Sequence, residues 1–220
     1  LTPNKDGLID LDTLEKALRP DTILVSIMHV NNEIGVIQDV EAISNITHSR
    51  GILFHVDAAQ SAGKIPIDLQ KLKIDMMSFS AHKVYGPKGI GALYIRQKPR
   101  LHLTPQIHGG NQEQGLRAGT LPTHQIVGMA EAMHIAHQEM ADENKRLLAL
   151  HEYLWKEISS LENIHLNGSP TKRIAGNLNI TFSNIDGELL SAALKDLALS
   201  AAAACNKTQT SYVLKAIGVS

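Results

Sequence analysis

Cysteine is almost missing: Cys205 is the only one in 220 residues. A lone thiol excludes an intrachain disulfide framework, and without a partner sulfur it also excludes four-sulfur and Cys-x-x-Cys metal sites, so a reducing compartment fits best. Aromatics make up 4% of the chain, so any core must be aliphatic, and the 43% hydrophobic fraction is enough to bury one. There is no surplus of either charge, with 21 Lys+Arg against 22 Asp+Glu, and no basic cluster, which argues against binding nucleic acid or an anionic membrane. No apolar run reaches the roughly 18 to 20 residues that cross a bilayer. The opening LTPNKDGLIDLD lacks the charged-then-apolar pattern of a secretion signal. The expectation is a soluble, cytoplasmic chain of one or two domains. It does not start with Met and its first residues read like a connection between elements, so it is expected to be a piece of a longer protein.

What is present alternates strand with helix. Apolar positions at helical spacing follow a capping-type Asp over Asp12 to Leu18, and Arg19-Pro20 stops them. Thr22 to Val30 is a short β-branched, apolar run that reads as a buried strand. A helical pattern over Val40 to His48 closes at Arg50-Gly51, and Ile52 to Asp57 is again a buried strand. Strands are also expected at Ile74 to Ser80 and Gly91 to Arg96, the first after a short helical turn and the second just past a glycine-rich turn. Such alternation implies an α/β fold with a mainly parallel sheet and helices on both faces. A long, mostly polar helical pattern over Thr123 to Leu161 suggests a bridge between domains, with residues 1–140 in a large domain and 141–220 in the start of a smaller α+β one. Strands at Ile164 to Gly168 and Asn177 to Phe182, a helix over Asp186 to Ala198 and a short helix in SYVLKAIG complete the pattern.

Three expected strands end in polar residues. Asn31-Asn32-Glu33 follows the first, Asp57 with Gln60 the second, and Ser80-Ala81-His82-Lys83 the third. In an open parallel sheet ligands bind at the carboxyl ends of the strands, so these groups should converge on one crevice. An Asp and a Lys there could form a salt bridge, or could hold an aromatic aldehyde cofactor through a Schiff base at Lys and a protonated ring nitrogen at Asp. Spacing leaves both open. Glu131, His134 and His137 share a helix, but a metal site in a bundle needs ligands from other helices, so a solvated face is expected and no metal site is assigned. The glycines of Gly86 to Gly91 match neither a dinucleotide fingerprint nor a P-loop and suit a turn joining two strands.

Read together, HVNNEIG (His29 to Gly35), HVDAAQSAGKIPID (His55 to Asp68), MSFSAHKVYGPKGIGALY (Met77 to Tyr94) and RAGTLP (Arg117 to Pro122) resemble the cysteine desulfurases of the IscS/NifS type, in the class V aminotransferase superfamily. The resemblance implies the two-domain fold of type I transferases dependent on pyridoxal 5'-phosphate (PLP), which is aspartate aminotransferase-like. It also implies removal of sulfur from L-cysteine to give L-alanine and an enzyme-bound persulfide for iron–sulfur cluster assembly and tRNA thiolation. By position, Lys83 resembles the Schiff-base lysine, Asp57 the partner of the pyridine nitrogen, and Gln60 the donor to the ring hydroxyl oxygen. Asn32 resembles another cofactor contact, and Ser80 and His82 phosphate ligands. Thr120 resembles the hydroxyl that reaches the neighbouring protomer's phosphate, which implies a homodimer. Cys205 resembles the thiol that takes the substrate sulfur and passes it to iron–sulfur scaffold and other sulfur-acceptor proteins.

Two departures from the family pattern matter. The family's Ser-Gly-Ser-Ala-Cys-Thr-Ser reads Ala-Ala-Ala-Ala-Cys-Asn-Lys here, a composition that favours helix over loose loop. The resemblance also places a phosphate loop, a ring-stacking His and a carboxylate-clamping Arg outside these residues, so the 220 residues alone are expected to be at best a feeble desulfurase. The alternatives are a truncated, inactive homologue that acts as a scaffold or fragment, and a related selenocysteine lyase.

Overall fold

The computed structural model describes residues 1–98, 101–200 and 211–219. Its elements in chain order are α1 (Leu11–Ala17), β1 (Leu24–Met28), α2 (Val40–Ser49), β2 (Leu53–Asp57), β3 (Met76–Ser80), β4 (Gly91–Ile95), α3 (Thr123–Ile158), β5 (Ile164–Leu166), β6 (Ile180–Phe182), α4 (Gly187–Ala193) and α5 (Tyr212–Ala216). They fall into two compact units. One contains residues 21–29 and 39–140, and the other residues 1–20, 30–38 and 141 onward.

The first unit is built on a sheet of order β1-β2-β3-β4, with β1, β2 and β3 parallel. β4 runs antiparallel to β3. The ten residues between β3 and β4 form only a short 3-10 turn and a glycine-rich loop, too few for the helical crossover a parallel neighbour needs. Helix α2 starts at Asp39, whose carboxylate accepts the Ala42 N–H at 2.9 Å, and packs Ile43 and Thr47 inward against β2. Phe54 and Val56 are fully buried on one face of β2, which leaves His55 and Asp57 on the other. The connection into β3 is pinned by Arg96, whose guanidinium donates to the carbonyls of Leu69, Leu72 and Ile74 at 2.6 to 3.1 Å. The carboxylate of Asp75 accepts the Phe54 N–H at 2.8 Å.

Helix α3 runs unbroken for 36 residues but buries only Met129 among the described residues. Its small residues seat the loops beyond β2 and β3. A Cβ on Gly128 would come within 2.9 Å of Pro87, and one on Gly63 within 2.7 Å of Val84 and 3.1 Å of Ala136. Gly63 also has φ +74, so both conformation and space require glycine there. Glu131, His134 and His137 are exposed.

The second unit pairs β5 and β6 antiparallel and packs Ile34 and Val36 against Val213 and Ile217 of the C-terminal segment. Its loop of residues 30–38 is held largely by polar groups. The Asn31 side chain accepts the N–H groups of Glu33 and Ile34, and Asn177 and Asn179 donate to the Glu33 carbonyl at 2.9 and 3.1 Å. Arg173 donates to the Ile34 carbonyl at 2.6 Å, and the Ser211 hydroxyl donates to the Glu33 carboxylate. The helix expected to run to Ala198 stops at Ala193, before Asp196 and the apolar residues Leu197 and Leu199, which are exposed.

Candidate cofactor site

Two adjacent parallel strands deliver the site. β2 ends at Asp57, and the register places Asp57 opposite Ser78 on β3, two residues before Ser80. One Asp57 oxygen accepts the Ala59 N–H at 2.9 Å, which turns the chain sharply and leaves the carboxylate half-buried at the strand end. The next residues coil, with Ala62 donating to Ala58 and Ile65 to Ser61. This coil puts Gln60 and Lys64 on one side, where the Lys64 ammonium donates to Gln60 Oε1 at 2.8 Å.

After β3, Ala81–Val84 forms a 3-10 turn that buries Ala81 and Val84 and leaves His82 and Lys83 exposed. Ser80 Oγ and His82 Nδ1 share a hydrogen bond of 3.0 Å. Tyr85 closes the turn at φ 65, a conformation uncommon for a side chain of this size, and its ring is fully exposed. The Lys64 ammonium is pushed below its usual range first by burial and then by the positive charge of Lys83, so both amines belong to one neighbourhood.

His55 joins the strands beneath. Its Nδ1 bonds Ser26 on β1 at 2.8 Å and its Nε2 bonds Ser78 on β3 at 3.2 Å. Burial lowers its proton affinity, and the Asp57 carboxylate partly offsets this. His29, at the end of β1, is buried with Nδ1 unpartnered, and burial pushes its imidazole down to about 4.

The structure thus groups Asp57, Gln60, Ser80, His82 and Lys83 at the ends of β2 and β3. Asn32 is exposed in the other unit, on a loop whose backbone is fixed on both sides of it. Thr120 is exposed just before α3, beyond a segment in which Glu113, Gln114 and Gly115 are all left-handed. Cys205 lies outside the described residues. Sequence reasoning passed over His55 and Lys64. A histidine inside an otherwise apolar strand, and a lysine four residues after a glutamine in a helical turn, were the signals available.

As a donor set the group fits PLP. It offers a half-buried carboxylate for a ring N–H, an amide for a phenolic oxygen, a hydroxyl and an imidazole for phosphate, and a primary amine for an aldehyde.

Residues 1–217 match the Aminotransferase class-V family. The chain belongs to that family. It is 60% identical over 221 residues to the cysteine desulfurase IscS of Tolumonas auensis, covering all of this chain and 55% of that protein. Among solved structures, a NifS-like protein superposes with a TM-score of 0.88 at 40% identity, over all of this chain and 58% of that one. SspA, solved in complex with cysteine, superposes with a TM-score of 0.84 at 41% identity, over all of this chain and 61% of that one. The chain therefore spans little more than half the length of these relatives. The mainly parallel sheet with its helices is the type I PLP-dependent transferase fold.

Proposed function

We propose that the protein carrying this chain is a PLP-dependent cysteine desulfurase. The observation that carries the reading is the convergence of Asp57, Gln60, Ser80, His82 and Lys83 at the carboxyl ends of two neighbouring parallel strands, in a chain 60% identical to a desulfurase. When bound, PLP supplies a protonated pyridine ring that draws electrons from the substrate α-carbon. Asp57 accepts the ring N–H and keeps that proton in place. Gln60 would donate to the phenolic oxygen, and Ser80 and His82 would donate to the phosphate. Lys83 would supply the primary amine that holds the cofactor's aldehyde.

Cys205 takes the sulfur. Its thiol attacks the sulfur of L-cysteine, the substrate C–S bond breaks as an S–S bond forms, and the thiol and substrate protons end on alanine and the terminal persulfide sulfur. L-Cysteine and one thiol thus become L-alanine and one persulfide, with no external oxidant. The persulfide passes to iron–sulfur scaffold and other sulfur-acceptor proteins, in a cytoplasmic homodimer in which Thr120 reaches the partner's phosphate. By sequence order residues 1–140 would belong to the large cofactor-binding domain and 141–220 to the beginning of the small one, although residues 1–20 and 30–38 cluster with those from 141 onward.

Borohydride reduction of the PLP-loaded full-length protein, followed by peptide mapping, tests the central assignment. The adduct should lie on Lys83, and Lys83→Ala should lower alanine release from L-cysteine by roughly a thousandfold or more. An adduct on Lys64 or Lys88, or turnover unaffected by Lys83→Ala, removes Lys83 from this role.

A further inference from the structure

Gln60 has a chemical ambiguity that the cofactor would not tolerate. Its amide carries an acceptor oxygen on one side and a donor NH2 on the other, and the two are nearly equal in shape. Only the NH2 can stabilise an electron-rich phenolic oxygen, and the carbonyl would repel it. Gln60 lies in a coil after β2, is half-buried, and its side chain accepts a hydrogen bond at Oε1. Its partner there is Lys64 Nζ, at 2.8 Å. An ammonium has three donors and no acceptor, so it can engage only the oxygen. With Oε1 engaged by Lys64, the NH2 is turned to the other side.

We propose that Lys64 is a positioning residue that fixes the orientation of the Gln60 amide and thereby makes Gln60 a donor toward the cofactor's phenolic oxygen. The inference rests on the proposed PLP site. The backbone supports it, because Ala62 N–H bonds Ala58 and both Lys64 and Ile65 N–H bond Ser61, holding Gln60 and Lys64 one helical turn apart. Burial supports it too. Lys64 is half-buried and its ammonium is destabilised by that burial and by Lys83, so a charge kept there despite the cost needs a polar partner.

The test is a double-mutant cycle in the PLP-loaded full-length protein, reading PLP affinity and the position of the bound cofactor's visible absorption band. Gln60→Ala should weaken PLP about tenfold and move the band. Lys64→Met should do nearly the same, and should add almost nothing in the Gln60→Ala background. Lys64→Glu should be worse than Lys64→Met, because a carboxylate accepts from the NH2 and turns the amide over. Lys64→Arg should restore both readouts. In the cofactor-free protein, the Gln60 side-chain amide resonances should move in Lys64→Met and return in Lys64→Arg, a readout independent of PLP. If Gln60→Ala moves affinity and band but Lys64→Met moves neither, the inference is wrong. It is equally wrong if the Lys64→Met effect persists undiminished without Gln60, since the lysine would then act through its charge alone. If Gln60→Ala itself changes nothing, the cofactor role given to Gln60 fails, and the inference falls with it.

Discussion

In β2, Phe54 and Val56 are wholly excluded from solvent, whereas no residue of β5 or β6 is fully buried. The sheet unit obtains its order from apolar packing around a short parallel core. The other unit obtains much of its order from side chains that hold one loop: Asn177, Asn179 and Arg173 on the carbonyls of Glu33 and Ile34, and Ser211 on the Glu33 carboxylate. The difference bears on chemistry. Apolar burial is non-directional and tolerates small shifts, so it can place whole strand ends, and the candidate cofactor groups sit on such ends. Hydrogen bonds fix individual backbone groups, and they hold the loop that presents Asn32.

Phe54→Ala tests the apolar sheet unit most directly. Deleting a fully buried ring at the centre of the sheet should cost roughly 3 to 5 kcal/mol, seen as a lower urea midpoint and faster amide exchange in β2 and β3. A cost no larger than that of losing one hydrogen bond would mean the sheet is not held by its apolar core.

A smaller effect is expected from pH. His29 carries an imidazole that burial pushes down from 6.5 to about 4 in the folded chain. Between those values the unfolded chain binds a proton that the folded chain does not, so stability is complete above about pH 6.5 and declines as pH falls toward 4. The loss should reach about 3 kcal/mol, and His29→Phe should flatten this part of the stability profile measured by urea titration. A profile equally steep in that variant would place the linkage elsewhere.

The smallest expected effect probes the polar unit. Ser211 caps α5 by accepting the N–H groups of Val213 and Leu214 and also donates to the half-buried Glu33 carboxylate. Ser211→Ala should cost about 2 kcal/mol, with faster exchange confined to α5 and the loop of residues 30–38. Destabilisation spread equally through β2 and β3 would erase the distinction between the units.

Period and punctuation in the chain were enough to determine the strand–helix alternation, a long helix from Thr123, and the strand ends at Asp57 and Ser80, with Lys83 just beyond the latter. These depend on local rules: apolar runs, capping aspartates at 10 and 39, and glycine at helix ends. The family resemblance that suggests roles for those residues was visible because its motifs are contiguous. Tertiary structure alone decided what depends on through-space pairing. The reversal of β4, the Ser26–His55–Ser78 row across three strands, and the clamp on Glu33 from residues more than 140 positions away are set by register and packing. Such pairs leave no spacing signature, because the energy that selects them is gained only when the sheet and the loop have already formed.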